Sequence, residues 1–195
     1  NGDGKPDLVW HNQRTGENVI WLMDGTSLLK PVMIQKSTDL SWRLAAVGAF
    51  GRGETPGLLW KHPENGQVVL WRMRGTNYLG SVPIEPNAPQ GWQLASAADF
   101  DEDGRSDLLW QNERTGEKAL WVMDGTKIGR GVVIDTQAGR DWRICGAGPF
   151  GGDATPDVLL QNSRTGEIAV WIMAGTTVTN GIALVRAIEQ ALAST

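Results

Sequence analysis

The sequence is poor in several residues and patterns that would point to common protein classes. It has one cysteine, Cys145, so no disulfide can form within the chain, and its apolar neighbours predict a small buried side chain. A formal net charge of −4 and the lack of any lysine and arginine cluster exclude nucleic acid as an expected partner. No run approaches the roughly 18 apolar residues of a membrane span, so no span is expected.

Tyrosine and phenylalanine are also scarce, with one and three copies, whereas tryptophan occurs ten times. The tryptophans recur in three phases of a 50-residue period that needs no gap. The phases are Trp10, Trp60 and Trp110; Trp21, Trp71, Trp121 and Trp171; and Trp42, Trp92 and Trp142. The period predicts one domain, residues 1–195, made of the repeats 1–41, 42–91, 92–141 and 142–195.

The third repeat shows the predicted strands most clearly. A first strand rich in small residues starts at Trp92, and a second spans 107–112 before a turn that ends at Gly116. A third strand over 118–123 leads through an Asp-Gly hairpin signal to a fourth around 131–134. Four antiparallel strands per repeat predict an all-β fold, a β-propeller of four blades of about 50 residues. A solenoid of β-units is the alternative.

The first repeat begins after the position of its first strand, so the first blade lacks its inner strand. A start at Asn1 rather than methionine also suggests an excised piece. Either another segment supplies the strand, or the chain is part of a larger ring, or two copies share one ring by self-association.

An acidic loop precedes the second strand of the third repeat. Carboxylates alternate along residues 99–107, and Gly104 allows a sharp reversal. Oxygen donors at alternate positions suit calcium, which takes six to eight of them. The expected ligands are the side chains of Asp99, Asp101, Asp103 and Asp107 and the main-chain carbonyl of Arg105. A solvated acidic turn is the alternative.

The equivalent loops of the other repeats are less complete. The first keeps Asn1, Asp3 and Asp7, which makes a metal site possible but incomplete. The fourth keeps Asp153 and Asp157, which predicts weak metal binding, whereas the second has no ligand set. Because the loop persists without its ligands, calcium is expected to rigidify blades rather than to take part in a reaction.

The run from Asp99 to Asp101, followed by Asp107 and Trp110, with Phe50 and Phe150 ahead of their own loops, resembles the FG-GAP or VCBS repeats. These repeats form the propellers of integrin α-subunits, of fungal and bacterial lectins and of secreted bacterial proteins. The resemblance covers essentially the whole chain. It implies a propeller, calcium in the intact loops, a secreted or extracellular location, and binding as the activity.

No constellation for catalysis is visible, since His11 and His62 lie in no metal-spaced cluster and the carboxylates are explained by loops and hairpin ends. The chain is therefore expected not to be an enzyme. Sugars are commonly held by aromatic faces and hydrogen-bonding groups, which makes the first-strand tryptophans candidates. The candidate ligand-binding residues are Trp42 with Arg43, Trp92 with Gln93, and Trp142 with Arg143. Packing between blades is the alternative for these tryptophans, and the phase of Trp21 is expected in the core.

The sequence thus predicts a calcium-stabilised extracellular binding propeller. Its expected ligand is a glycan or a cell-surface glycoprotein, which would make it a carbohydrate-binding, lectin-like or adhesion module. One alternative is a scaffold domain of a larger secreted protein or hydrolase, without a ligand of its own. Another is a catalytic propeller such as a polysaccharide lyase.

Overall fold

The computed structural model describes residues 2–51, 56–135 and 138–184. These residues form fifteen β-strands and no helix. The chain divides into two compact units, residues 1–90 and 91–195. This division lies one residue from the predicted boundary between the second and third repeats. In the described residues there is no helix with the length and apolar character needed to cross a membrane.

The first unit contains two antiparallel sheets whose strands pair in chain order. The first sheet has three strands and the second has four. Their strands are β1 (Leu8–His11), β2 (Asn18–Asp24) and β3 (Ser27–Met33), then β4 (Arg43–Gly48), β5 (Gly57–Lys61), β6 (Val68–Arg74) and β7 (Asn77–Ile84).

The second unit contains two four-stranded antiparallel sheets, again paired in chain order. Their strands are β8 (Trp92–Ala98), β9 (Asp107–Asn112), β10 (Lys118–Asp124) and β11 (Lys127–Asp135), then β12 (Trp142–Gly148), β13 (Asp157–Asn162), β14 (Ile168–Ala174) and β15 (Thr177–Leu184). The predicted fold class is confirmed, as an all-β propeller fold of four blades; within the described residues the first blade has three strands and no inner strand. Self-association and a larger ring stay predictions.

The turn between the second and third strand of each blade is set by its glycine. Gly66 has a φ of +71°, and a Cβ built on it would lie 2.1 Å from the carbonyl oxygen of Ala88. Any side chain at position 66 is therefore disfavoured for two reasons, the left-handed backbone conformation and the close approach of Ala88. Gly16, Gly116 and Gly166 have the same positive φ.

The hairpin between the third and fourth strands is displaced by one residue from its expected place. Asp124 pairs with Lys127, so the two loop residues are Gly125 and Thr126 rather than Asp124 and Gly125. Gly125 has a φ of +65°, which suits a loop that needs a positive φ at its first position.

Cys145 is exposed, so the prediction of a buried thiol is wrong. The pairing of β12 with β13 shifts between Ile144 and Gly146, which leaves Cys145 as the extra residue of a β-bulge. A bulge changes which side of the sheet a residue faces, so the apolar neighbours of Cys145 along the chain do not determine whether its side chain is buried.

Each unit has a core that takes side chains from both of its sheets. In the first unit Ile20 of the first sheet packs with Leu58, Trp60 and Met73 of the second. In the second unit the buried cluster is formed by Phe100, Leu109, Leu120, Val158, Leu160 and Met173. The tryptophans of the Trp21 phase, expected in the core, are half-buried, and Trp71 and Trp171 pack against the two clusters.

Candidate functional site

The acidic loop is anchored by Asp107, the first residue of β9. Its side chain is fully buried, and its two oxygens accept hydrogen bonds from the backbone amides of Met123 (2.8 Å) and Phe100 (3.0 Å). Asp107 thus ties the start of the loop to the end of β10. This role follows from the backbone alone and needs no metal.

The middle of the loop turns around Asp99. Its carboxylate accepts hydrogen bonds from the backbone amides of Asp103 (3.1 Å) and Gly104 (2.8 Å). Glu102 has a φ of +61° and Gly104 a φ of +86°, which reverse the chain direction.

Three of the predicted ligands come together. One carboxylate oxygen from each of Asp99, Asp101 and Asp107 lies within 4.8 Å of the other two. Asp103 is engaged elsewhere, because its oxygens accept from the Arg105 backbone amide at 2.9 Å and lie 3.5 Å from the Arg105 guanidinium. That guanidinium also pairs with Asp124.

The electrostatics of this group suit a cation. Burial raises the pKa of Asp107 to about 6, and the nearby negative charge of Asp101 acts in the same direction. A divalent cation held by the three carboxylates would offset both effects, and hard oxygen donors are those that calcium prefers. The residues present therefore fit a calcium ion.

The equivalent loops of the first and fourth repeats keep the aspartate that corresponds to Asp107 but not the group of three carboxylates. Asp7 accepts from the Met23 backbone amide at 2.9 Å, and Asp157 accepts from the Met173 backbone amide at 2.9 Å. Asp3 and Asp153 accept from backbone amides two residues along their own loops. Asn1 lies outside the described residues. Within those residues, the only group of three carboxylates is the one at Asp99, Asp101 and Asp107. Metal binding by the first and fourth repeats stays a prediction.

An aromatic cleft of about 300 Å³ opens in the first unit, beside the connection from β3 to β4. The rings of Trp60 and Trp71 lie 4.7 Å apart between centroids, and those of Trp71 and Tyr78 lie 5.0 Å apart. Trp42 completes this wall and meets the ring of His62 edge-on, at 5.4 Å. Four aromatic side chains thus line one small cleft.

Apart from Val69, polar side chains form the remainder of the lining. They come from the run 35–39 and from Ser81. Asp39 accepts a hydrogen bond of 2.9 Å from the Ser41 backbone amide, which lowers the pKa of its carboxyl below the ordinary value. Lys36 is exposed. The cleft therefore joins flat apolar faces to hydroxyl, carboxylate and ammonium groups.

Of the six predicted ligand-binding residues, Trp42 lies in this cleft. Arg43 instead donates to the carbonyl oxygens of Leu40 (2.6 Å) and Ser41 (3.0 Å), and so closes its own loop. Trp142 packs against the core of the second unit. Trp92 is half-buried, Gln93 lies 3.5 Å from Glu113, and Arg143 is exposed.

The other three aromatic residues of the cleft were not expected there. Trp71 belongs to a phase predicted as core, and Trp60 and Tyr78 had no assigned role. The available signal was Tyr78, the one tyrosine of the chain, one strand away from Trp71. In the second unit, Leu160 and Val178 take the places of Trp60 and Tyr78 in the repeat.

Comparisons with known proteins add no identity. No protein-family model and no curated protein matches this chain.

Proposed function

We propose that this chain is a carbohydrate-binding, lectin-like or adhesion module that holds a saccharide in the aromatic cleft of its first unit. The observation that carries the proposal is the combination of Trp42, Trp71 and Tyr78, backed by the buried ring of Trp60, with a polar rim in one cleft. The face of a sugar ring presents C–H groups to an aromatic face, and its hydroxyls need donors and acceptors at the edge. A cleft of about 300 Å³ is at the small end of ligand sites and suits one or two sugar rings.

The proposal is one of binding without catalysis. In the cleft lining the carboxylate comes from Asp39, whereas cleavage of a glycosidic bond usually uses a pair of carboxylic groups. His11 and His62 are engaged locally, His11 at 2.8 Å from Asn18 Oδ1 and His62 at 3.3 Å from the Glu64 backbone amide.

We also propose that the repeats are of the FG-GAP or VCBS type, that the loop 99–107 binds calcium, and that the protein acts outside the cell. The support is the acidic loop itself, in which carboxylate oxygens of Asp99, Asp101 and the buried Asp107 lie close together. Calcium would stabilise the second unit, while the cleft of the first unit would contact the glycan or the glycoprotein.

Calcium is expected to raise the melting temperature of the chelator-treated protein. At a free concentration 100-fold above its dissociation constant, an ion adds about 2.7 kcal/mol to the free energy of unfolding. Asp101→Asn should abolish this shift, because Asp101 is an exposed member of the carboxylate group. Asp153→Asn, in the equivalent loop of the fourth repeat, is the matched control and should keep it. Thermal unfolding of the three proteins, each with calcium and with chelator, measures the difference. An equal shift in all three would contradict the assignment to the loop 99–107.

Tyr78→Val is expected to weaken saccharide binding at least tenfold, about 1.4 kcal/mol, because it removes one aromatic wall. The matched control is Ile128→Val, which makes the same product residue one repeat later, in the second unit. A glycan array identifies the sugar, and calorimetry on the calcium-loaded protein measures both affinities. An equal loss in the two variants would place the site elsewhere. No binding by the folded, calcium-loaded wild type would favour the scaffold alternative.

A further inference from the structure

We propose that the aromatic cleft takes the ammonium group of an amino sugar, that is, of a saccharide whose amine is free and protonated. This inference rests on the proposed function and narrows its ligand. It comes from a comparison of the two units, because the second unit fills the corresponding place with an ammonium group of its own. That group belongs to Lys118.

Lys118 is fully buried in the second unit and points along the aromatic face of Trp171. Its Nζ lies 5.2 Å from the centroid of the Trp171 ring, within the range of a cation–π interaction. The same Nζ donates a hydrogen bond of 2.8 Å to the carbonyl oxygen of Gly116 and lies 3.5 Å from Asp135 Oδ2. The ammonium is thus held by a ring face, a carbonyl and a carboxylate.

The residues that surround this ammonium have counterparts in the first unit 100 residues earlier. Asn18 stands in the place of Lys118, Gln35 in that of Asp135 and Trp71 in that of Trp171. The Asn18 amide donates to the carbonyl oxygen of Gln35 at 2.7 Å and lies 3.4 Å from that of Gly16. Asn18 therefore extends toward the carbonyl oxygen of Gly16, as Lys118 extends toward that of Gly116.

Asn18 is two bonds shorter than lysine, so its amide stops at these backbone carbonyls. Gln35 and Trp71, the counterparts of the carboxylate and of the ring that hold the Lys118 ammonium, line the cleft. The first unit accordingly has an aromatic wall at a position where the fold accepts a cation, but no cation of its own from residue 18.

The charges around the cleft agree with a bound ammonium group. The negative faces of Trp42, Trp71 and Tyr78 attract a cation, and the Asp39 carboxylate in the lining supplies the counter-charge. Two groups act in the opposite direction, the exposed ammonium of Lys36 and the His62 ring against Trp42 when it is protonated. Lys36 has a long flexible stem and lies at the exposed rim, so its charge can move into solvent.

A sugar amine fits the lining better than a simple amine does. Ser37, Thr38 and Ser81 line the same cleft. The exposed hydroxyl groups of Thr38 and Ser81 can donate to or accept from sugar hydroxyls, whereas the buried Ser37 Oγ lies 3.3 Å from the Asn18 amide nitrogen. A simple amine would use the aromatic wall and leave these groups to water. The ligand class that uses both sets is an amino sugar with an unmodified amine.

The first test compares three trisaccharides on the full calcium-loaded chain by calorimetry at pH 6. These are the trimers of glucosamine, of N-acetylglucosamine and of glucose. The glucosamine trimer is expected to bind at least tenfold more tightly than the other two, and to lose this preference at a pH where its amines are neutral. Equal binding of the three would overturn this inference and keep the proposed function. No binding of any saccharide, here or on a glycan array, would overturn both.

The second test introduces a lysine and an aspartate into the first unit at the positions equivalent to Lys118 and Asp135. The double substitution Asn18→Lys with Gln35→Asp reproduces the Lys118 and Asp135 pair and should abolish binding of the glucosamine trimer. The control Asn18→Leu loses the same amide contacts without adding a charge, and should keep binding within about threefold of the wild type. An equally complete loss in the control, with both variants folded by circular dichroism, would overturn the inference.

Discussion

Asp135→Ala is expected to lower the free energy of unfolding by about 3 to 5 kcal/mol, because it leaves a buried ammonium group without its carboxylate. The ammonium is that of Lys118, whose side chain is fully buried and whose Nζ lies 3.5 Å from Asp135 Oδ2. The remaining partners would be a neutral carbonyl, that of Gly116, and the face of Trp171. Urea unfolding of both proteins at pH 7 measures the loss.

The matched variant Lys118→Met should be far milder and should change the free energy of unfolding by less than about 1.5 kcal/mol in either direction. The equivalent positions carry Val68 and Ile168, so the fold accepts an apolar side chain here. Asp135 would keep the hydrogen bond of 3.0 Å from the Ala138 backbone amide. If Lys118→Met lost as much unfolding free energy as Asp135→Ala, the unpaired ammonium group would not be the cause of the instability of Asp135→Ala.

The same pair has a pH signature. Burial lowers the pKa of Lys118 below its unfolded value of 10.5, so the folded state releases this proton first as the pH rises. Stability contributed through Lys118 is therefore lowest below the folded-state pKa and increases between that pKa and 10.5. Relative to Lys118→Met, the wild type should gain stability over this alkaline range.

Trp110→Ala is expected to cost about 3 to 5 kcal/mol of unfolding free energy, as is usual when a large buried ring is removed. Trp110 is 1% exposed, and its ring centroid lies 4.5 Å from that of Trp121. Trp110→Leu, which copies Leu160 of the fourth repeat, should lose less, because leucine is buried at that position.

The matched control for Trp110 is Trp10→Ala, a substitution at the same phase of the first repeat. Trp10 is 49% exposed and lies on β1, the edge strand of a sheet that has three strands among the described residues, so its loss should cost less than about 1 kcal/mol. Chemical unfolding of the three variants measures the contrast. Equal losses for Trp10→Ala and Trp110→Ala would contradict the environments described for these two rings.

The blades were predictable because their signals are local and occur four times. The predicted second strand of the third repeat, 107–112, has the observed bounds of β9, since a buried apolar run ends at a turn that Gly116 fixes. The three strands that the described residues form in the first blade were likewise predictable, because the first repeat begins after the position of its first strand. Periodicity and turn residues act within a few positions of one another, so a single sequence reveals them.

The features that were missed depend on pairing between strands and on differences between repeats. The bulge that exposes Cys145 appears only when β12 is aligned with β13. Asp103 stays a predicted metal ligand, but the contacts of its carboxylate with the neighbouring Arg105 could not be foreseen from the alternation of carboxylates. The cleft could not be predicted, because it needs Trp60, Trp71 and Tyr78 on three strands of one sheet, and the repeat pattern marked the tryptophans only as equivalent positions.

The most direct test of saccharide binding in the cleft is an NMR titration with the saccharide found on the array. It follows the indole N–H signals of the ten tryptophans. Substitution of each tryptophan by phenylalanine assigns the signals. The account predicts shifts for Trp42, Trp60 and Trp71, which line the cleft, and unchanged signals for Trp110, Trp121 and Trp171 of the second unit. Shifts confined to tryptophans of the second unit, such as Trp92 and Trp142, would show that the saccharide binds elsewhere and that the cleft is not its site.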